Sequence, residues 1–206
     1  MKTNRFLLAA GIALALAFTL SCSDDKEEGG GGYTGPYEDP ITIDGQTYKT
    51  VKIGNQIWMV ANLNINAEGS KCYGDNPANC NTYGRLYDWE TAKAVCPSNW
   101  HLPTQEDYAA LIATVGGNAV AGTKLKTTSG WDNGNGTDDY GFSALPGGNF
   151  EGDQGFNSAG QRGYWWGASE YDEYTAYGFS IRGNESSAAG NDREKSRYFS
   201  VRCVKD

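Results

Sequence analysis

Four cysteines, Cys72, Cys80, Cys96 and Cys203, constrain this chain more than any other feature. A fifth, Cys22, stands apart at the end of an apolar leader. In an exported protein an even remainder of thiols implies disulfides, so the fold must bring these positions together in pairs. Three connectivities are possible. Spacing favours Cys72 with Cys80 as a small loop staple, and Cys96 with Cys203. The second pair would close a loop of more than a hundred residues, worth about 4–5 kcal/mol on the chain-entropy model. A metal site made from these thiols is the weaker reading, because no Cys-x-x-Cys spacing is present and His101 is the only histidine.

Export is read from the first residues. Lys2 and Arg5 precede an apolar run from Phe6 to Leu20, the pattern of a targeting segment ending at Ser21. Thr19-Leu20-Ser21-Cys22 resembles a bacterial lipoprotein signal, which implies cleavage before Cys22, lipidation of that cysteine and attachment to a membrane through the lipid. The alternative is an ordinary secretory peptide with a stray thiol. The acidic run Ser23–Glu28 resembles the signal that sends some lipoproteins to the outer surface of the outer membrane; its plain reading is a solvated charge run. With Gly29–Gly32, residues 22–40 read as a tether, and residues 41–206 as one domain. The formal charge of −8 and the lack of a Lys/Arg cluster argue against a nucleic-acid partner.

Within the domain, Ile41–Ile43, Asp44-Gly45 and Gln46–Ile53 form a hairpin signal, and Gly54-Asn55 reverses the chain again into Gln56–Val60. Asn62–Thr82 is polar and reads as irregular. Asp88 is a fair N-cap for a short helix over Trp89–Val95. Thr104 and Asp107 form a capping-box pair, and Tyr108, Leu111, Ile112 and Val115 recur at the period of one apolar helix face, stopped by Gly116-Gly117. Lys124-Leu125-Lys126 reads as a short strand. Gly163–Ser169 is the strongest strand of the second half, and Tyr174–Arg182 with Arg197–Val204 reads as a closing hairpin.

Two sets of residues are candidates for binding. Asp132, Asn133, Asn135, Asp138 and Asp139 lie in a glycine-rich loop and could give calcium hard oxygen ligands, although Asn, Asp and Gly are also ordinary turn residues and the EF-hand order is missing. Trp165, Trp166, Tyr171, Tyr174 and Tyr177 could offer flat faces to sugar rings. Since neighbours on a strand point to opposite faces, at least one of the two tryptophans belongs in the core.

The ordered segments Tyr48–Gln56, Trp58-Met59, Tyr83–Tyr87, Trp100–Thr104, Ala121–Leu125, Gly141–Gly148, Tyr164–Trp166 and Phe199–Val204 together resemble the Fibrobacter succinogenes major paralogous domain family. That family has no established activity, and its members are mostly exported or surface-attached. The Leu-Pro-Thr helix start and the closing Val-Arg-Cys strand are similar to features of C-type-lectin-like and formylglycine-generating-enzyme folds. The resemblance implies an α+β, C-type-lectin-like domain: a small twisted antiparallel sheet, two helices and a long loop region held by two disulfides. The Glu-Pro-Asn or Gln-Pro-Asp triplet by which sugar-binding lectins hold calcium is missing from this sequence.

No paired carboxylates or nucleophile–base arrangement stands out, and His101 beside Trp100 reads as structural. The expected role is a non-catalytic surface binding or adhesion module, with a glycan or a surface protein as partner. The alternatives are a structural coat or protein-partner domain, and an enzyme of the formylglycine-generating-enzyme-like fold.

Overall fold

The computed structural model describes residues 37–206. Cys22 and most of the expected tether lie outside them. The domain opens as a meander of β1 (Tyr37–Ile43), β2 (Gln46–Ile53) and β3 (Gln56–Met59). At the first reversal Asp44 (φ 48°) and Gly45 (φ 79°) both adopt the left-handed conformation that an Asp-Gly turn permits. Strand β1 starts at Tyr37: Tyr37 and Glu38 pair with Val51 and Thr50, and the register shifts before Ile41 meets Tyr48.

Four helices follow where two were expected. The first, α1 (Pro77–Tyr83), lies in the segment read as irregular. Pro77 starts it, Asn76 caps it through Ala78 N, and the Cys72–Cys80 disulfide fastens it to the preceding turn. After β4 (Leu86–Tyr87) come α2 (Trp89–Ala94) and β5 (Trp100–His101), with Asp88 Oδ1 accepting from Thr91 N at 2.8 Å. The capping box of α3 (Gln105–Thr114) forms in both directions between Thr104 and Asp107.

The expected strand over Lys124–Lys126 is corrected by α4 (Asn118–Leu125). Polar–apolar–polar alternation across three residues suits the end of a helix equally well. Here Ala121, Gly122 and Leu125 form the buried face. A Cβ on Gly122 would lie 2.2 Å from the carbonyl oxygen of Ser187, so the helix rests directly on backbone.

The remaining strands are β6 (Gly147–Glu151), β7 (Gly155–Ala159), β8 (Arg162–Glu170), β9 (Thr175–Arg182), β10 (Ala188–Glu194), β11 (Phe199–Ser200) and β12 (Val204–Lys205). They build a five-stranded sheet in the order β1-β2-β3-β12-β5 and a seven-stranded sheet in the order β10-β9-β8-β11-β4, to which β6 and β7 attach through β8. Pairing is antiparallel except for single parallel bridges of β8 to β6 and to β11. The expected α+β architecture with twisted antiparallel sheet and two disulfides is what the domain shows, and the closing hairpin of the sequence reading is corrected. The partner of β9 is β10, whose Ala-Ala-Gly-Asn-Asp-Arg-Glu composition carries no strand signal. The last segment is divided: β11 joins one sheet and β12 the other.

Two hydrophobic cores result. One gathers Trp58, Tyr108, Phe142, Trp165 and Phe179 under α3 and α4; the other gathers Tyr48, Tyr87, Trp89, Trp166, Phe199 and Val201. A polar hub joins them. Asn62 Oδ1 accepts from Trp165 Nε1 (2.8 Å) and from Arg202 Nη2 (2.8 Å), while Asn62 Nδ2 donates to Tyr83 O (2.8 Å) and Ser200 Oγ (3.2 Å). The fully buried Arg202 also donates to the carbonyls of Phe142 and Ser143 and lies over the Phe142 ring at 4.3 Å. Burial pulls its pKa down to about 10, which leaves it charged at neutral pH. Next to the hub, the Cys96–Cys203 disulfide ties the end of α2 to the chain between β11 and β12.

Candidate functional site

The turn from β8 to β9 presents two rings to solvent: Tyr171 is 75% and Tyr174 72% exposed, far above the other aromatic rings of this half. Local chemistry holds the turn open. Asp172 Oδ1 accepts from Tyr174 N (2.8 Å), Thr175 N (2.7 Å) and Thr175 Oγ1 (2.9 Å). These bonds, led by that from the Tyr174 amide, lower the pKa of Asp172 and keep it an acceptor. From below, Lys195 Nζ donates to Asp172 O (2.8 Å), to Glu173 O (3.0 Å) and to the Glu170 carboxylate. The same ammonium lies 4.6 Å from the centre of the Trp89 ring, and Trp89 Nε1 donates to Gly167 O at 2.9 Å. The tyrosines therefore stand on a braced tip.

Beside the tip lies a hollow of about 520 Å³ lined by Glu173, Tyr174, Glu194, Lys195 and Ser196. Two smaller hollows, of about 280 and 240 Å³, adjoin it at Glu194 and share Arg197. Arg197 donates to Glu194 Oε2 (3.2 Å) and to Glu151, and Glu151 also accepts from the buried Asn149 Nδ2 (2.7 Å). A ring wall, carboxylates, a guanidinium and a hydroxyl thus share one shallow surface.

The structure separates the five candidate rings. Trp165 and Trp166 are fully buried, one in each core, because β8 is covered on both faces; they are corrected from ligand platforms to core residues. Tyr177 is half-buried, stacked on Tyr108 with ring centres 6.0 Å apart, and floors a separate groove of about 420 Å³ with Gln105, Ile112 and Asn118. Gly190 keeps that groove open, since a Cβ there would lie 1.7 Å from the Tyr177 hydroxyl.

The oxygen-rich loop turns its donors on itself. Asp138 accepts from Ser143 N (2.7 Å) and Ser143 Oγ (2.6 Å), and Asn135 Oδ1 from Trp131 N (3.0 Å). Asp132 N donates to Gly160 O. Asp132, Asp138 and Asp139 form no metal cluster: among the described residues no group of three or more His, Cys, Asp or Glu side chains is placed to hold a metal ion. One carbonyl of this loop, that of Gly134, joins those of Arg182, Gly183 and Glu185 at and just after the end of β9 around an ammonium. The buried Lys126 Nζ donates to Gly183 O (2.7 Å), Gly134 O (2.9 Å), Glu185 O (3.2 Å) and Arg182 O (3.3 Å).

His101 lies between carboxylates, Nδ1 at 2.6 Å from Asp206 and Nε2 at 3.1 Å from Asp107. Burial disfavours its charged form, but the bonds to Asp206 and Asp107 outweigh this and raise its pKa. With each ring nitrogen facing a carboxylate, it ties α3 to the last residues of the chain.

Sequence reasoning missed Lys195, Glu194 and Arg197, for which a charged segment between strands gives no distinctive signal. Asp172-Glu173-Tyr174-Thr175 was legible as a side-chain-capped turn, and that pattern could have favoured the tip tyrosines over the strand tryptophans. Residues 51–205 match the family model described as the Fibrobacter succinogenes major domain. No curated protein and no solved structure matches the chain.

Proposed function

We propose, for a chain that belongs to the Fibrobacter succinogenes major domain family, the role of a non-catalytic carbohydrate-binding module that uses Tyr171 and Tyr174 as its stacking surface. The supporting observation is the pair of rings, each more than 70% exposed, on a turn braced by Asp172 and Lys195. Sugar rings present CH faces that pack on aromatic faces, and hydroxyls that suit carboxylate, guanidinium and hydroxyl partners such as Glu194, Arg197 and Ser196. In this reading Cys22 carries a lipid that moors the domain at the outer membrane, facing the surroundings, and kinship with lectin-like folds is part of the same proposal.

The test is binding of the full chain to immobilised plant and host polysaccharides, compared with a Tyr171→Ala/Tyr174→Ala variant. Retention of the natural protein with at least about tenfold weaker retention of the variant at unchanged melting temperature is expected. Equal retention of the two would remove the tip from the account.

A further inference from the structure

Ion pairing around the tip leaves a residue of charge that narrows the ligand. Arg197 is engaged by Glu151 and Glu194, and Lys195 by Glu170. Asp153, Glu173 and Asp192 are exposed, and their carboxylates make no ion pair or hydrogen bond among the described residues. One of them lines each of the three adjoining hollows. The cation left against them is Arg193, whose Nη1 donates to the Asp192 carbonyl. Glu173 directly precedes Tyr174, so an unpaired carboxylate and an exposed π face occur together, and both attract a cation. An anionic chain would be repelled by the three unpaired carboxylates, whereas a neutral chain would gain hydrogen bonds from them but no charge attraction.

Resting on the carbohydrate reading above, we infer that the ligand is a glycan carrying free amino groups. One ring stacks on Tyr174 while successive ammonium groups meet Glu173, Asp192 and Asp153. The amino groups, not the sugar skeleton, set the preference, and binding weakens as salt screens these exposed charges.

Titration calorimetry of the full chain tests this with a glucosamine oligomer, its fully N-acetylated counterpart, a uronic acid oligomer and an oligolysine of equal charge. The amino oligomer is expected to bind about tenfold or more tighter than the acetylated one, a difference of about 1.4 kcal/mol. That affinity should fall in Glu173→Gln/Asp192→Asn and in Tyr174→Ala, but not in Asp44→Asn, which removes a charge in the other sheet and preserves the β1–β2 turn. Equal binding of amino and acetylated oligomers, or preference for the uronic acid, would overturn this inference and leave the carbohydrate reading standing. Binding of oligolysine as tight as the amino sugar, unaffected by Tyr174→Ala, would overturn it in favour of charge alone. Failure of every glycan to bind would overturn both.

Discussion

Trp165 and Trp166 lie in the middle of β8, and Tyr171 and Tyr174 lie just beyond its end, yet the two pairs have opposite fates. Mid-strand, alternation sends neighbouring side chains to opposite faces, and here both faces are covered, so each tryptophan fills its own core. Past the end of the strand, Asp172 and Lys195 take up the backbone groups of the turn, and the tyrosines have nothing to pack beneath. An aromatic residue is left exposed because of what its backbone is bonded to, more than because of its ring.

The largest way to test this contrast acts on the interior as a whole. Cys96→Ser/Cys203→Ser opens a loop of 107 residues and should cost about 4–5 kcal/mol in denaturant unfolding, whereas substitutions of the two tip tyrosines should leave that stability unchanged. Next, Trp165→Ala removes a buried ring and a donor to Asn62, with an expected loss of about 3–5 kcal/mol. Tyr174→Ala should stay within about 0.5 kcal/mol. Similar losses for both residues would break the contrast.

A smaller effect is expected at Lys126, whose replacement by Met strips four carbonyls of their donor and should cost about 1–3 kcal/mol. Chelator should leave the melting temperature of the natural protein unchanged, because Asp138 and Asn135 of the oxygen-rich loop already accept from Ser143 and Trp131. A chelator-induced drop would restore calcium to this loop. Asp172→Ala comes next, with a small fall in melting temperature as for a lost helix cap; it should weaken glycan binding while both tyrosines remain, which separates the bracing from the rings.

The smallest effect concerns pH and touches neither pair. His101 has a raised pKa, so its contribution is complete below its unfolded value near 6.5 and is lost as pH climbs through the higher folded value. Asp107 has a lowered pKa: burial opposes the charge, and the bonds from Thr104 and His101 overcome it. Its contribution is present above the unfolded value of 3.8 and is lost as pH falls through the folded one. His101→Gln should therefore lower the melting temperature slightly at pH 6 and hardly at all at pH 9. A gap that widened with pH would contradict the arrangement.

Features whose cause is local were legible in the sequence. The Asp44-Gly45 turn, the Asp88 and Thr104 caps, the buried stripe of α3 and both cysteine pairings follow from residues a few positions apart or from simple spacing. What stayed hidden depends on distant partners. The strand β10 is a strand because β9 lies beside it, and α4 buries Gly122 because the backbone of Ser187 passes beneath it. At the candidate site the rings could be named from sequence, but the choice among them could not, since burial of Trp165 and Trp166 depends on cover from both cores. Lys195, Glu194 and Arg197 acquire meaning only when the segment after β10 folds against the β8–β9 turn.

The most direct measurement is an amide chemical-shift titration of the full chain with whichever glycan it retains. The account predicts shifts concentrated at residues 170–175 and 192–197, with Trp165 and Trp166 unmoved. Shifts centred instead on Tyr177, Gln105 and Asn118, with the 170–175 turn silent, would contradict it.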